Sequence, residues 1–134
     1  MTFAVGYRSL TDTRMMPLAE SWDDLVAALS EHREVAAKLA GAMWSPVVPA
    51  ADGPQKRCNA AVAAVTALVL DVDYGMPLDA LAEGIEGEWI AYSTWSSTPA
   101  APRYHVVMRL PAAIAAGDWR AVYERANGHR ADWL

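Results

Sequence analysis

The sequence predicts an α+β fold, built as a sheet with helices packed on one face and a polar site on the other. Three observations predict it. Segments rich in Val, Leu, Ile and aromatic residues recur at 67–74, 89–95 and 103–110, the composition of strands. Apolar residues at helical spacing precede, separate and follow them. The order that results is strand, helices, strands, short helix, hairpin, helix.

Residues 3–7 (F-A-V-G-Y) read as a short strand, weakened by Gly6. Residues 11–17 read as a loop closed by Pro17. Ser21 then suits a helix N-cap, with Asp23 and Asp24 in the first turn, where the dipole favours acids. Trp22, Leu25, Val26 and Leu29 fall on one helical face. A second helical stretch carries Val35 and Leu39 and ends at Gly41. Residues 43–48 suit a strand, and Pro46 points to a sheet edge.

Residues 49–54 (P-A-A-D-G-P) form a loop, followed by Lys56, Arg57 and Asn59. The run 60–73 is two strands or one long one, and its alanines leave helix open for the first part. Pro77 suits a first helical position. Leu78, Leu81 and Ile85 supply an inner face, which Gly84 and Gly87 end, while Glu83, Glu86 and Glu88 read as a solvated face. Segments 89–95 and 103–110 form a hairpin through S-S-T-P-A-A-P, and Pro111 begins another turn. Gly117 and Asp118 cap a last helix with Trp119, Val122, Tyr123 and Ala126 as its buried stripe, ended by Asn127 and Gly128.

The bulk properties narrow the function classes. A chain of 134 residues is one domain's worth and can bury a core. Its 54% apolar and 20% charged residues are those of a water-soluble globular protein. The single cysteine, Cys58, excludes an internal disulfide and suits a reducing cytoplasm. The start lacks a signal-peptide pattern, and the apolar run 60–70 is too short to span a bilayer, so no membrane partner is expected. A net charge of −5 argues against binding nucleic acid by bulk attraction. The charge is uneven, however. Residues 56–101 hold two bases against six acids, whereas residues 102–134 hold five arginines against three acids.

The stretch 67–74, A-L-V-L-D-V-D-Y, organises the rest. Strand alternation puts Leu68, Leu70, Val72 and Tyr74 on one face and Ala67, Val69, Asp71 and Asp73 on the other. Two carboxylates therefore sit side by side at a strand's C-terminal end, roughly 7 Å apart along the backbone. Their repulsion is relieved by a hard divalent cation such as Mg²⁺ or Mn²⁺, often with phosphate oxygens completing its shell. A strand running out into an acidic surface turn has the same pattern. On the segment 103–110, Arg103, His105, Val107 and Arg109 share a face. Three basic side chains there make His105 a candidate for an anionic ligand. Lys56 and Arg57, just upstream of the D-x-D strand, are either solvated charges or phosphate ligands.

These motifs, in this order, resemble the archaeo-eukaryotic primase superfamily, in particular the primase-polymerase domains of phage and plasmid replication proteins. Asp71 and Asp73 match its first motif, a hydrophobic strand ending in D-x-D. The string Y-S-T-W-S-S-T-P-A-A-P-R-Y-H-V-V-M resembles the second, with His105 at the phosphate-contacting position and Arg103 where a small polar residue is commoner. Ala131 and Asp132 stand where the third motif, a hydrophobic residue and a metal-binding aspartate, is expected. The upstream K-R-C-N resembles a basic stretch of related phage proteins. The resemblance covers roughly residues 43–134.

The resemblance implies an RRM-like sheet flanked by helices, within a single domain over 1–134 shortened at its C-terminal end: an N-terminal α/β part over 1–42 and a motif-bearing part over 43–134. It implies a DNA primase or polymerase that performs nucleotidyl transfer on nucleoside triphosphates over a DNA template and primer, with a helicase or other replication protein as partner, in a bacterial or phage-infected cytoplasm. Asp71, Asp73 and Asp132 would hold Mg²⁺ or Mn²⁺. His105, Arg103, Lys56 and Arg57 would neutralise the triphosphate, and Ser96, Ser97 and Thr98 would donate hydrogen bonds from the hairpin turn. The alternative is a reduced module that binds nucleotide or nucleic acid without turnover. A TOPRIM-type nuclease would call for a glutamate on an earlier strand, and residues 43–48 contain none.

Overall fold

The helix expected after Ser21 forms as α1, Trp22–Leu29, in a computed structural model that describes residues 2–9, 11–31, 41–54, 56–73 and 76–131, of 126–131 the backbone alone. Ser21 Oγ accepts the Asp24 N–H at 3.1 Å, and Asp24 Oδ2 accepts the Glu20 N–H at 3.2 Å. The Ser21 side chain caps the first turn, and Asp24 holds the residue just before the cap. Trp22 and Leu25 are buried, and Val26 and Leu29 pack against the same core.

The fold is α+β, with two antiparallel sheets and three α-helices among the described residues. In the smaller sheet, β1 (Ala4–Tyr7) lies between β2 (Met16–Ala19) and β3 (Met43–Ser45). The loop expected over 11–17 is found over 11–15, while Met16 and Pro17 belong to β2. Pro17 is tolerated because β2 is an edge strand, where a missing N–H leaves no ladder bond unmade. The larger sheet has the order β4-β5-β7-β6, formed by β4 (Val47–Pro49), β5 (Val62–Val72), β6 (Trp89–Ser93) and β7 (Tyr104–Ala115).

The strand expected over 43–48 is divided at Pro46. Its first half pairs with β1 and its second with β5, so the chain crosses between sheets at a residue that cannot continue a ladder. Thr66 fastens the crossing. Its N–H donates to the Pro46 carbonyl at 2.9 Å, and its hydroxyl donates to the Phe3 carbonyl at 2.8 Å. The apolar run upstream of Asp71 is one strand, and the alanines at its start are taken by a 3₁₀ turn, Asn59–Ala61.

β7 also runs past Pro111, where a turn was expected. Val65 faces Ile114 and Ala67 faces Arg109, so five steps along β7 answer two along β5. The surplus residues bulge out and carry Pro111 where no ladder N–H is required.

The larger sheet is covered on both faces, which corrects the expectation of helices on one face alone. Leu68, Leu70, Val72 and Val106 pack against Leu81 and Ile85, with Trp119 beside them. Ala67 and Val107 pack against Ala4, Ala19, Trp22 and Leu25. Full burial of one such aliphatic side chain contributes about 1.5–3 kcal/mol.

α2 spans Leu78–Gly84, with Pro77 as its extended N-cap rather than its first helical residue. Leu81 and Ile85 reach the core, but Leu78 in the opening turn is exposed. Gly87, at φ +84°, turns the chain into β6 in a backbone region that side chains disfavour. α3, Trp119–Ala131, passes through Asn127 and Gly128, which were expected to end it. A glycine stops a helix when it turns left-handed, and Gly128 stays helical. Tyr123, expected in the buried stripe, is exposed. The expectations for Val35, Leu39, Tyr74, the Ala126 side chain and Asp132 lie outside the described residues. No helix among the described residues is long and apolar enough to cross a membrane.

Candidate functional site

β5 and β7 bring the two sequence motifs together. Their register makes Asp71 and His105 direct partners, and Val72 and Tyr104 the next pair. Directly paired side chains share a sheet face about 5 Å apart, so the carboxylate and the imidazole meet. His105 Nε2 lies 3.7 Å from Asp71 Oδ1, just beyond direct hydrogen-bond range. Asp71 keeps 66% of its side chain exposed, against 36% for His105, so the carboxylate is open to a ligand and the ring is half-embedded.

Asp73 follows the last residue of β5, and Arg103 precedes the first of β7. The ladder ends with Val72 and Tyr104, and Asp73 and Arg103 extend the two strands just beyond it. Both are exposed. This end of the sheet thus carries two acids, Asp71 and Asp73, and two bases, His105 and Arg103.

His105 is held from its other side by β6. Tyr92 is its register partner, and the Tyr92 hydroxyl lies 2.9 Å from His105 Nδ1. The rings meet edge to face, with centroids 5.2 Å apart and planes at 84°. Trp44 Nε1–H of β3 donates to the same hydroxyl at 3.0 Å. Burial raises the Tyr92 phenol above its ordinary value of 10.0; the Trp44 hydrogen bond opposes that shift, and the nearby Asp71 charge adds to it. Tyr92 therefore stays a neutral phenol at ordinary pH. The sequence reading missed both Tyr92 and Trp44. Composition marked 89–95 as a strand, but a ten-residue hairpin connection leaves the register that brings Tyr92 to His105 unspecified. Trp44 comes from the other sheet, which no local pattern reveals.

The other expected residues separate into three groups. Arg109 shares the face of His105 but is ion-paired with Glu88, at the level of Ala67. Ser97 and Thr98 shape the hairpin: Ser97 Oγ accepts the Arg103 N–H at 3.0 Å, and Thr98 Oγ1 accepts the Ala101 N–H at 3.0 Å. They line an open groove of about 630 Å³ with Ser93 and Tyr104, on the sheet face away from His105. Ser96 is exposed at the turn. Lys56 and Arg57 are not brought to Asp71. The backbone of Lys56 forms an isolated antiparallel β-bridge with that of Arg14, and the Arg57 guanidinium lies 5.1 Å over the Tyr7 ring. Tyr7 packs beside Val65, roughly 20 Å of strand from Asp71.

Two carboxylates form a hard oxygen donor set, of the kind that holds Mg²⁺ or Mn²⁺ when phosphate and water complete the shell. No group of three or more His, Cys, Asp or Glu side chains gathers among the described residues. The chain matches no protein-family model, no curated protein and no solved structure.

Proposed function

We propose that this chain is a primase-polymerase-like domain of the archaeo-eukaryotic primase superfamily, with its RRM-like core in the larger sheet. Its Asp71–His105 end takes a nucleoside triphosphate with Mg²⁺ or Mn²⁺. The observation that carries the reading is the direct pairing of Asp71 with His105 across β5 and β7. The residues that resemble the first and second motifs lie far apart in sequence and are neighbours in the sheet.

The chemistry is nucleotidyl transfer on a DNA template. A 3′-hydroxyl loses its proton to solvent and attacks the α-phosphorus, a new P–O bond forms, and pyrophosphate leaves with the electrons of the broken α–β P–O bond. Asp71 and Asp73 would hold the metal, which would supply charge neutralisation at the phosphates and a lowered pKa for the attacking hydroxyl. His105 Nε2 and the Arg103 guanidinium bind phosphate oxygens and stabilise the charge that builds on them. Ser97 and Thr98 hold the turn that places Arg103, and Lys56 and Arg57 take no part in this site.

Template-dependent incorporation of labelled nucleotides with Mn²⁺ tests the reading. Incorporation is expected, and Asp71→Ala with Asp73→Ala should abolish it. Incorporation unchanged in that double variant overturns the metal assignment. Metal-dependent triphosphate binding with no incorporation assigns the non-catalytic binding module instead.

A further inference from the structure

The hydrogen bonds around Tyr92 determine more than its own position. Indole N–H is a donor only, so Trp44 obliges the Tyr92 oxygen to accept. The hydroxyl has one proton of its own to place, and His105 Nδ1 lies 2.9 Å away. Were Nδ1 to carry a hydrogen, the oxygen would accept twice and its proton would have no partner at that site. The satisfied arrangement is therefore Trp44 Nε1–H to Tyr92 O, and Tyr92 O–H to His105 Nδ1. A neutral imidazole that accepts at Nδ1 carries its hydrogen on Nε2. That nitrogen faces Asp71 at 3.7 Å, a gap long enough to leave the N–H available to a ligand.

We propose that Tyr92, braced by Trp44, is a positioning residue that fixes His105 in its Nε2–H tautomer and so aims a hydrogen-bond donor at a phosphate oxygen beside Asp71. Tyr92 acts through His105 and touches no ligand itself. The brace spans both sheets, since Trp44 belongs to β3 and Tyr92 to β6. The ligand half of the inference rests on the nucleotide-binding reading; the tautomer half rests on the hydrogen bonds alone.

A long-range ¹H–¹⁵N spectrum of the full chain, without nucleotide or metal, tests the tautomer. A ring protonated on both nitrogens shows hydrogens on each and is thereby told apart from either neutral tautomer. His105 is distinguished from His32 and His129 by the signals lost in His105→Gln. The expected pattern is a protonated Nε2 and a bare Nδ1, replaced in Tyr92→Phe by a mixture of tautomers. A protonated Nδ1 in the unaltered chain overturns the positioning role, whether or not the variant folds. So does an unchanged spectrum in a folded Tyr92→Phe. Binding of inorganic tripolyphosphate with Mn²⁺ then tests the ligand half, with a several-fold loss of affinity expected in Tyr92→Phe. No such binding, beside the expected tautomer, overturns the ligand half and the nucleotide reading with it. Metal-dependent binding beside the wrong tautomer overturns the role of Tyr92 and leaves the nucleotide reading standing.

Discussion

The two faces of β5 part company at residue 71. On one face, Leu68, Leu70 and Val72 remain in a dry core to the end of the strand, under Leu81 and Ile85. On the other, Ala67 and Val69 are packed by α1 and its sheet, and the next residue, Asp71, is largely exposed. Both faces belong to one backbone with one register. The difference teaches that the scaffold and the candidate site are separable. The apolar face positions the strand, and the polar end uses the position without contributing much to it.

Leu70→Ala strikes the packed face and should produce the largest effect. Leu70 is 4% exposed, and removing its side chain leaves a cavity between sheet and helix. A loss of about 2–5 kcal/mol is expected in chemical denaturation. Phosphate ligands should still bind whatever fraction remains folded. An effect below about 1 kcal/mol would mean that this face is not a closed core.

Tyr92→Phe tests the border between the faces, and about 1 kcal/mol should be lost at neutral pH. Its pH dependence has a definite sign. The folded protein holds the Tyr92 proton more tightly than the unfolded chain, chiefly through burial. That contribution is complete below pH 10.0 and is lost as pH rises through the higher folded value. Denaturation of Tyr92→Phe and the unaltered chain should therefore converge in alkali. A gap that stays constant would show that the phenol is not restrained.

Glu88→Gln should do least. It breaks the pair with Arg109, whose side chains are 46% and 59% exposed, Arg109 being the less exposed. Exposed ion pairs of this kind contribute from nothing to about 1 kcal/mol. A larger loss in denaturation would mark Arg109 as part of the structural face, and a changed triphosphate affinity would return it to the site.

Much of this division was legible in the sequence. The period-two pattern of 67–74 assigned Leu68, Leu70 and Val72 to one face and Asp71 to the other, and that alternation holds wherever both faces meet different surroundings. The cap at Ser21 was legible because a capping bond is local, closing within three residues. Register between strands is not local, so the resemblance led to the expectation that Asp71 and His105 serve one site, while their direct pairing was not expected. Prolines misled twice in the same sense. Pro17 and Pro111 were read as loop and turn, yet one lies in an edge strand and the other in a bulge, the two strand settings that need no N–H. Lys56 and Arg57 looked adjacent to Asp71 because only an apolar run separates them. An extended strand turns that run into distance.

The central claim is that Asp71 and Asp73 form the metal half of a triphosphate site whose other half is His105 and Arg103. Calorimetric titration of a nucleoside triphosphate, with and without Mn²⁺, tests it most directly when run on the unaltered chain and on Asp71→Ala with Asp73→Ala. Both residues are exposed, so the double variant should unfold within about 0.5 kcal/mol of the unaltered chain. Binding that requires Mn²⁺ and disappears in this folded variant is the predicted result. Binding that persists in the variant, or that is indifferent to Mn²⁺, contradicts the account.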